Sequence, residues 1–279
     1  MRGFAIFMAA WARRFVYFVL LGLAGTAPAA AGAAFASHLA VYDIHLKHAD
    51  PASGIADVTG RLVVELMGSD CEGWSVGFRM VSRFLDTEGA DPRVIDLQSN
   101  SWESNDGRQM RYSQREFLNN ALNAETKLTA NHTDKGVAVA VESADRKAQL
   151  PADVVFPMAH QRRIIEAAMR AGKIDRSVIY DGAEEDKYYT AVTFIGPELK
   201  GVAVPQKDAA ALADLRSWRV STSYFDTLAE TEGEEVPSHQ ISMRLFENGV
   251  SSDLILDYGN LQLEGKLSQF ELHKSPSCD

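Results

Sequence analysis

The sequence predicts an all-β fold, a large antiparallel sheet of a dozen or more strands with one amphipathic helix. Apolar and polar residues alternate with a period of two along most of the chain, which is the pattern of half-buried strands. Tight-turn sequences such as Asn105-Asp106-Gly107 and Asn248-Gly249 separate these runs, which indicates strands joined as hairpins. Successive hairpins favour an antiparallel sheet. No linker rich in proline, glycine or serine divides residues 37–279, so we expect them to form a single domain.

The first 36 residues have the layout of a secretory signal peptide. Three arginines precede the apolar run Phe15–Leu23, and the small residues that follow end at Ala34-Phe35-Ala36. We expect cleavage after Ala36. The apolar run of about nine residues is shorter than the ~20 that a membrane-spanning helix requires, and no cysteine follows the cleavage site to carry a lipid. The sequence therefore predicts a soluble mature protein that is exported to the periplasm.

The mature chain is acidic. Removal of the signal peptide leaves 25 basic and 38 acidic residues, a net charge of about −13 at neutral pH. A surface of that sign is repelled by nucleic-acid phosphates and by anionic lipid headgroups. We therefore expect no nucleic acid, and no anionic membrane surface, among the direct partners of the protein.

The strand pattern is clearest in the hairpin Gly60–Phe84. One face of its first strand carries Leu62, Val64 and Leu66, and one face of its second strand carries Trp74, Val76, Phe78 and Met80. The turn between the strands holds Cys71, and the only other cysteine is Cys278. In an oxidising compartment a Cys71–Cys278 disulfide is the default expectation. Such a bond would tie the first hairpin to the end of the chain.

The other predicted strands follow one another along the chain. They are Val41–Lys47, Val94–Trp102, Gln109–Leu118, Ala124–His132, Val137–Val141, Ser177–Asp181, Lys187–Ile195, Trp218–Phe225, Ile241–Glu247, Val250–Asp257 and Leu261–Leu272. The apolar parity of the last strand changes near Ser268, which predicts a β-bulge. Residues 207–215 show only a weak helical pattern.

One segment, residues 150–172, interrupts the strand pattern. Pro157 suits the first position of a helix, and Gly172 suits the exit from one. At 100° per residue, an apolar face carries Ile164, Ile165, Ala168 and Met169, and the opposite face carries Arg162, Arg163, Glu166, Arg170 and Lys173. We expect a helix from about Pro157 to Ala171 whose apolar stripe packs on the sheet. The basic face is interpreted as solvated rather than as a ligand site.

A serine-hydrolase motif, G-x-S-x-G, occurs at Gly73–Gly77. That chemistry requires a strained strand-to-helix turn that presents the serine to a histidine and an oxyanion hole. Ser75 instead falls inside an alternating strand, where it is interpreted as a small residue on the second face of the sheet. The sequence predicts no catalytic residue, and we expect the protein not to be an enzyme.

The sequence also predicts no metal site and no cofactor. The seven histidines form no H-x-H or H-E-x-x-H motif. His45 and His48 are three residues apart in a predicted strand, which would place them on opposite faces. The cluster Glu184-Glu185-Asp186 lacks the ligand spacing of a calcium loop. Aromatic residues of the strands could line a pocket, although core packing is their default role: Trp74, Trp102, Tyr188, Tyr189, Trp218 and Tyr224.

Five groups of residues together resemble one known family. They are D-C-E-G-W at Asp70–Trp74, W-E-S-x-D-G at Trp102–Gly107, L-P-x-x-V-x-F-P-M-x-H at Leu150–His160, Y-D-G at Tyr180–Gly182 followed by Tyr188-Tyr189, and the closing run Gln240–His273. The combination is similar to the EipB cell-envelope-integrity family of periplasmic proteins from alphaproteobacteria, over essentially the whole mature chain.

The resemblance implies an antiparallel sheet coiled into a spiral or open barrel, broadly similar to the sheet-around-helix shape of lipoprotein carriers. It also implies a disulfide between the first hairpin and the C-terminus, which matches Cys71 and Cys278. The family is associated with envelope homeostasis and with a periplasmic partner built from tetratricopeptide repeats. It has no established catalytic residues, so none is transferred to this chain.

Two functions follow from these observations. The first is a non-enzymatic protein that supports cell envelope integrity and homeostasis by binding other periplasmic proteins. The second is a carrier whose curved sheet, covered by the amphipathic helix, holds a lipid or the acyl chain of a lipoprotein. Acyl chains that copurify with the periplasmic protein would favour the carrier.

Overall fold

The computed structural model describes residues 34–89, 91–200, 207–227, 235–276 and 278. The predicted signal peptide therefore lies outside the described residues, except for its last three positions. The described chain contains fifteen strands and one α-helix, α1, at Pro157–Met169. The strands are β1 His38–Ala49, β2 Ile55–Ser69, β3 Gly73–Asp86, β4 Arg93–Glu103, β5 Gln109–Leu118, β6 Ala121–Thr133, β7 Gly136–Val141, β8 Arg146–Leu150, β9 Val154–Val155, β10 Ile174–Ile179, β11 Tyr189–Leu199, β12 Ser217–Asp226, β13 His239–Phe246, β14 Ser251–Asp257 and β15 Leu261–Leu272. Two short 3₁₀ helices occur at Pro51–Ser53 and Lys207–Leu212.

All fifteen strands form one sheet, in the order β8-β7-β6-β5-β4-β3-β2-β1-β15-β14-β13-β12-β11-β10-β9. Neighbours in the sheet are neighbours in sequence, except that β1 also pairs with β15 and so joins the two ends of the chain. Every pairing is antiparallel apart from the short β9–β10 contact. Because strands twist in one hand, a sheet this wide curls. It nearly closes into a barrel, as predicted, and leaves one seam between β8 and β9.

Side chains rather than a strand ladder fill the seam. An apolar cluster draws Met110 and Leu150 from one side together with Val154 and Tyr180 from the other. Arg146 forms an ion pair with Glu185 at 2.8 Å. Neither β8 nor β9 was predicted from the sequence, because β8 is mostly polar and β9 has only two residues.

Helix α1 begins at Pro157 and buries the predicted face. Ile164, Ile165 and Ala168 are buried, and they pack in one cluster with residues of the inner faces of both halves of the sheet, among them Leu66, Trp74, Trp218 and Leu245. The predicted packing of the helix is confirmed. The basic face is only partly solvated, because Arg162 donates a hydrogen bond to the side-chain oxygen of Asn105 at 2.8 Å.

The predicted bulge in the last strand is confirmed at Ser268. Val41 pairs with Gln269 while Tyr42 pairs with Leu267, which leaves Ser268 without a partner in the ladder. A second shift in the register lies between Leu46 and His48. It brings His48 to the same outer face as His45, so the expectation that these histidines lie on opposite faces is wrong. A bulge adds one residue and reverses the alternation beyond it.

The structure contains a Cys71–Cys278 disulfide, consistent with the pairing expected from the sequence. Cys71 lies in the turn between β2 and β3, and Cys278 lies beyond β15. The two Cα atoms are 5.7 Å apart, although 207 positions separate the residues in sequence.

Within the described part of the chain, no helix has the length and apolar character needed to cross a membrane.

Candidate functional site

A cavity of about 310 Å³ lies between helix α1 and the inner face of the sheet. Its walls come from β1, β2 and β3 on one side and from β12 and β13 on the other, so residues far apart in sequence share it. Its apolar lining includes Val64, Leu66, Val76, Ile164, Val220, Ile241, Met243 and Leu245. The volume falls at the lower end of the range for small-molecule sites. Such a lining suits an apolar ligand.

The register of β12 and β13 gives the cavity two different ends. Leu245, whose strand partner is Trp218, lines one end, and the paired residues Tyr224 and His239 line the other. Six residues separate the two rows along a strand, which corresponds to ~20 Å. The Trp218 end belongs to the apolar cluster beneath the helix. The Tyr224 end is polar, because Asp181 also lines the cavity there.

Aromatic rings surround the polar end. The ring of His239 stacks on Tyr224 with centroids 4.4 Å apart, and Tyr189 meets the same imidazole edge-on at 5.6 Å. Burial lowers the pKa of His239, and the nearby Lys187 adds to that effect. The imidazole is therefore neutral at pH 7, where it can donate or accept a hydrogen bond.

Asp181 reaches the cavity from the loop that follows β10. Its carboxylate accepts a hydrogen bond from the Ala183 amide at 3.0 Å. Gly182 has a φ of +80°, and a Cβ there would lie 2.9 Å from the ring of Tyr112. Only glycine allows this approach, so the Y-D-G sequence positions Asp181. Burial raises the pKa of Asp181, which means that the site favours a neutral carboxyl or a group that donates to it.

The ammonium group of Lys187 is paired with two carboxylates. Its ammonium group lies 3.0 Å from the Glu184 carboxylate and 3.2 Å from Asp226. The hydrogen bond to Glu184 is the main cause of the raised pKa of Lys187. Glu184 also accepts a hydrogen bond from the Tyr189 hydroxyl at 3.0 Å. Glu184, in the acidic turn, therefore fixes both Lys187 and Tyr189 in the aromatic wall of the cavity.

The N-terminus of α1 is closed by a buried acid. Glu103, at the end of β4, is 1% exposed, and its carboxylate accepts hydrogen bonds from the Met158 amide at 3.0 and 3.1 Å. Burial raises its pKa to about 7, although the amide hydrogen bonds of Met158 and Ala159 oppose the rise. Glu103 thus fixes the helix end that borders the cavity. Nothing in the sequence pattern predicted this role, because the two segments are 55 positions apart.

We expect Glu103→Gln to change how stability depends on pH. Folding favours the protonated acid, so the stability that Glu103 contributes is full below its ordinary pKa of 4.5 and is lost as pH rises through about 7. Relative to Glu103→Gln, the parent should lose on the order of 3 kcal/mol between these values. Urea denaturation at several pH values measures the difference. Glu271→Gln, on the exposed surface, is the control, and a parent–variant difference that stays constant from pH 4 to 8 would contradict the assignment.

Ser75 lies on the outer face, away from the cavity. It pairs with Met67 on β2 and with Trp102 on β4, in regular antiparallel register. It borders a polar trough of about 510 Å³, where the Arg111 guanidinium lies 4.6 Å from the centroid of the Trp102 ring. The strand-to-helix turn that a nucleophilic serine requires is therefore not present at Ser75.

We predict that Ser75 does not react with a fluorophosphonate probe. A serine hydroxyl in a regular strand lacks the base and the oxyanion donors that activate a nucleophile. Intact mass spectrometry after incubation with the probe should show the unmodified mass. Stoichiometric labelling that Ser75→Ala abolishes would contradict this prediction and would support an enzyme.

Among the described residues, no group of three or more histidine, cysteine, aspartate or glutamate side chains could hold a metal ion. His48 instead lies 3.2 Å from the carboxylate of Asp50. Inside the sheet, His160 lines the cavity, with its Nε2 atom 3.5 Å from Asp175. That contact is the main cause that lowers the pKa of the Asp175 carboxyl. The pair joins the helix to β10.

A protein-family model described as EipB-like matches residues 29–274. The chain belongs to the EipB-like family. It is 30% identical to the cell envelope integrity protein EipB of Brucella abortus (strain 2308) over 260 residues, which cover 92% of this chain and 91% of that protein.

A solved structure extends the EipB-like match to the fold. The crystal structure of a β-barrel-like protein from Brucella abortus, with a domain of unknown function, aligns with a TM-score of 0.80 and 29% identity. The alignment covers 86% of this chain and 99% of that one. The predicted family is therefore confirmed, and the coiled sheet around one helix is an EipB-like fold.

Proposed function

We propose that this EipB-like protein supports cell envelope integrity from the periplasm, without enzymatic activity, by binding an amphipathic molecule with a single apolar chain. The observation that carries the proposal is the cavity, which combines apolar walls with a polar end formed by Asp181, Tyr224 and His239. The name of the Brucella relative supports the role in the envelope. The disulfide suits the oxidising periplasm.

The volume of the cavity favours one chain over two. A volume of about 310 Å³ lies at the lower end of the range for small-molecule sites. It therefore suits a single hydrocarbon chain better than a bulky ligand. Burial of such a chain stabilises the complex by about 0.8 kcal/mol for each CH₂ group. The polar end then receives the headgroup, and Asp181 favours a headgroup that donates hydrogen bonds.

Native mass spectrometry of protein purified from the periplasm tests this proposal. We expect a bound amphiphile, and we expect Ile241→Phe to reduce its occupancy at least tenfold, because Ile241 lines the cavity. Ile174→Phe is the matched control, since Ile174 is 59% exposed on the outer surface. Melting curves of both variants establish that they fold. A protein without any ligand, or an Ile241→Phe variant that retains it, would contradict the carrier function.

Docking of another periplasmic protein is the second candidate. The observation that favours it is an apolar pair on the outer face, in which Ile174 and Phe194 are cross-strand partners and are 59% and 55% exposed. The family resemblance implies a partner with tetratricopeptide repeats. We expect Ile174→Asp combined with Phe194→Asp to abolish capture of that partner from envelope extracts, whereas Leu122→Asp, also exposed, should leave it unchanged. Equal capture by both variants would exclude this face.

A further inference from the structure

The side chain of Phe35 is buried in the apolar core beneath α1. Its side chain is 6% exposed, and its ring meets Trp74 edge-on with centroids 5.4 Å apart. The guanidinium of Arg162 lies 5.2 Å from the centroid of the same ring. Gly249 has a φ of +87°, and a Cβ on it would lie 2.5 Å from the Phe35 ring. Three elements distant in sequence are therefore shaped around this one side chain.

The backbone beside Phe35 is also held on both sides. The Ala36 amide donates a hydrogen bond to the Asn248 carbonyl at 2.9 Å, and the Ala36 carbonyl lies 2.7 Å from Nδ1 of His38. The Ser37 hydroxyl donates to the carbonyl of Gly68 at 3.2 Å. Phe35 therefore belongs to the folded domain, although it lies before the first strand.

We propose that the signal peptide is removed upstream of Phe35, so that the mature protein retains this residue. Cleavage after Ala36, which the small residues at 34 and 36 suggest, would discard a core side chain and leave a void beside Trp74. A void of that kind is destabilising because the surrounding side chains collapse only in part. The fold therefore selects an earlier scissile bond.

Suitable triplets precede Phe35 in the sequence. Ala29-Ala30-Ala31 and Ala31-Gly32-Ala33 both have the small-x-small pattern that signal peptidases recognise. The reaction is hydrolysis, in which water adds its hydroxyl to the carbonyl of Ala31 or Ala33 and a proton to the released amine. The mature chain then begins at Gly32 or Ala34. The EipB-like match begins at residue 29, which places Phe35 inside the region typical of the family.

Retention of Phe35 also supports the wall of the cavity. Four residues of its apolar cluster, Leu66, Val76, Ile164 and Leu245, line the cavity. Gly249 lines it as well, and a Cβ at Gly249 would lie 2.5 Å from the Phe35 ring. A chain cut after Ala36 would therefore lose a side chain that packs behind this wall.

Amino-terminal sequencing and intact mass of the exported protein test the site of cleavage directly. We expect a mature chain that begins at Gly32 or Ala34. Any amino terminus that retains Phe35 supports the inference, and a chain that begins at Ser37 overturns it. The result does not depend on whether the cavity binds a ligand.

A second measurement tests the role of Phe35 after export. Phe35→Ala should lower the melting temperature of the secreted protein by about 10 °C, as expected for loss of a buried phenylalanine. Phe194→Ala is the matched control, because Phe194 is 55% exposed. A secreted Phe35→Ala protein that melts with the parent would show that residue 35 is absent from the mature chain, and it would overturn the inference.

Discussion

Cys278→Ser is expected to lower the free energy of unfolding of the oxidised protein by up to about 5 kcal/mol, because the disulfide closes one of the longest loops that this chain allows. Cys71 and Cys278 are 207 positions apart in sequence. In the chain-entropy model, a cross-link over such a distance removes a large number of unfolded conformations. Residual structure in the denatured chain reduces the gain.

The disulfide also acts on the folded state. Residues 261–272 form the last strand, β15, which pairs with β1 along eleven positions and with β14 along only four. Residues 273–276 have no strand partner among the described residues. The His273 amide donates a hydrogen bond to the Ser37 carbonyl at 2.8 Å, the hydroxyls of Ser275 and Ser37 lie 3.1 Å apart, and the disulfide holds the chain at Cys278. Loss of the disulfide therefore frees the segment that crosses the amino-terminal residues.

Urea denaturation under oxidising and reducing conditions measures this effect. Cys278→Ser should unfold like the reduced parent in both conditions, and Cys71→Ser should match it. The double variant should show no additional loss, because each single substitution already removes the bond. A Cys278→Ser protein as stable as the oxidised parent would show that β15 is held by the sheet alone.

Local patterns in the sequence predicted most of the elements of this fold. The bounds of Gln109–Leu118 and Leu261–Leu272 coincide with β5 and β15, because alternation of apolar and polar residues records which face of a strand is buried. The bulge at Ser268 was predicted for the same reason, since one inserted residue changes the parity. Pro157 marked the start of the helix because its ring suits the first helical turn.

The alternation of apolar and polar residues did not predict how the sheet closes. Strand β8 escaped prediction because only Ala148 and Leu150 in it face the core. The second register shift between β1 and β15 places His45 and His48 on one face. The residues around it are polar on both faces of the strand, so the alternation of apolar and polar residues does not reveal the shift. Register shifts of this kind depend on the distant partner strand, where His48 pairs with Gln262, rather than on local sequence.

The cavity depends still more on tertiary structure. Asp181, Tyr224 and His239 are ordinary polar residues in sequence, and only the pairing of β12 with β13 and the approach of Gly182 to Tyr112 bring them together. Glu103 reads as a strand end in the sequence but closes the helix N-terminus in the fold. Phe35 reads as part of a signal peptide but fills the core. Each of these roles is set by contacts between segments that no local pattern connects.

Ile165→Ala is expected to lower the free energy of unfolding by about 2–5 kcal/mol, the usual cost of truncating a buried isoleucine. The side chain of Ile165 is 0% exposed, and it lies in the apolar cluster with Trp74 and Trp218 from opposite halves of the sheet. A helix that contacts both halves resists relaxation into the space left by a truncated side chain. The loss should therefore include the cavity term in addition to the transfer term.

Urea denaturation of Ile165→Ala and Ile174→Ala, compared with the parent, isolates the effect of burial. Ile174 is 59% exposed, so its truncation should change stability by no more than about 0.5 kcal/mol. Equal losses in the two variants would show that helix α1 does not pack as the structure has it. Because the neighbouring Ile164 lines the cavity, a helix loosened at Ile165 should also weaken binding of the amphiphile that we propose as the ligand. Ile165→Ala should then lose both stability and bound ligand, whereas Ile174→Ala should lose neither.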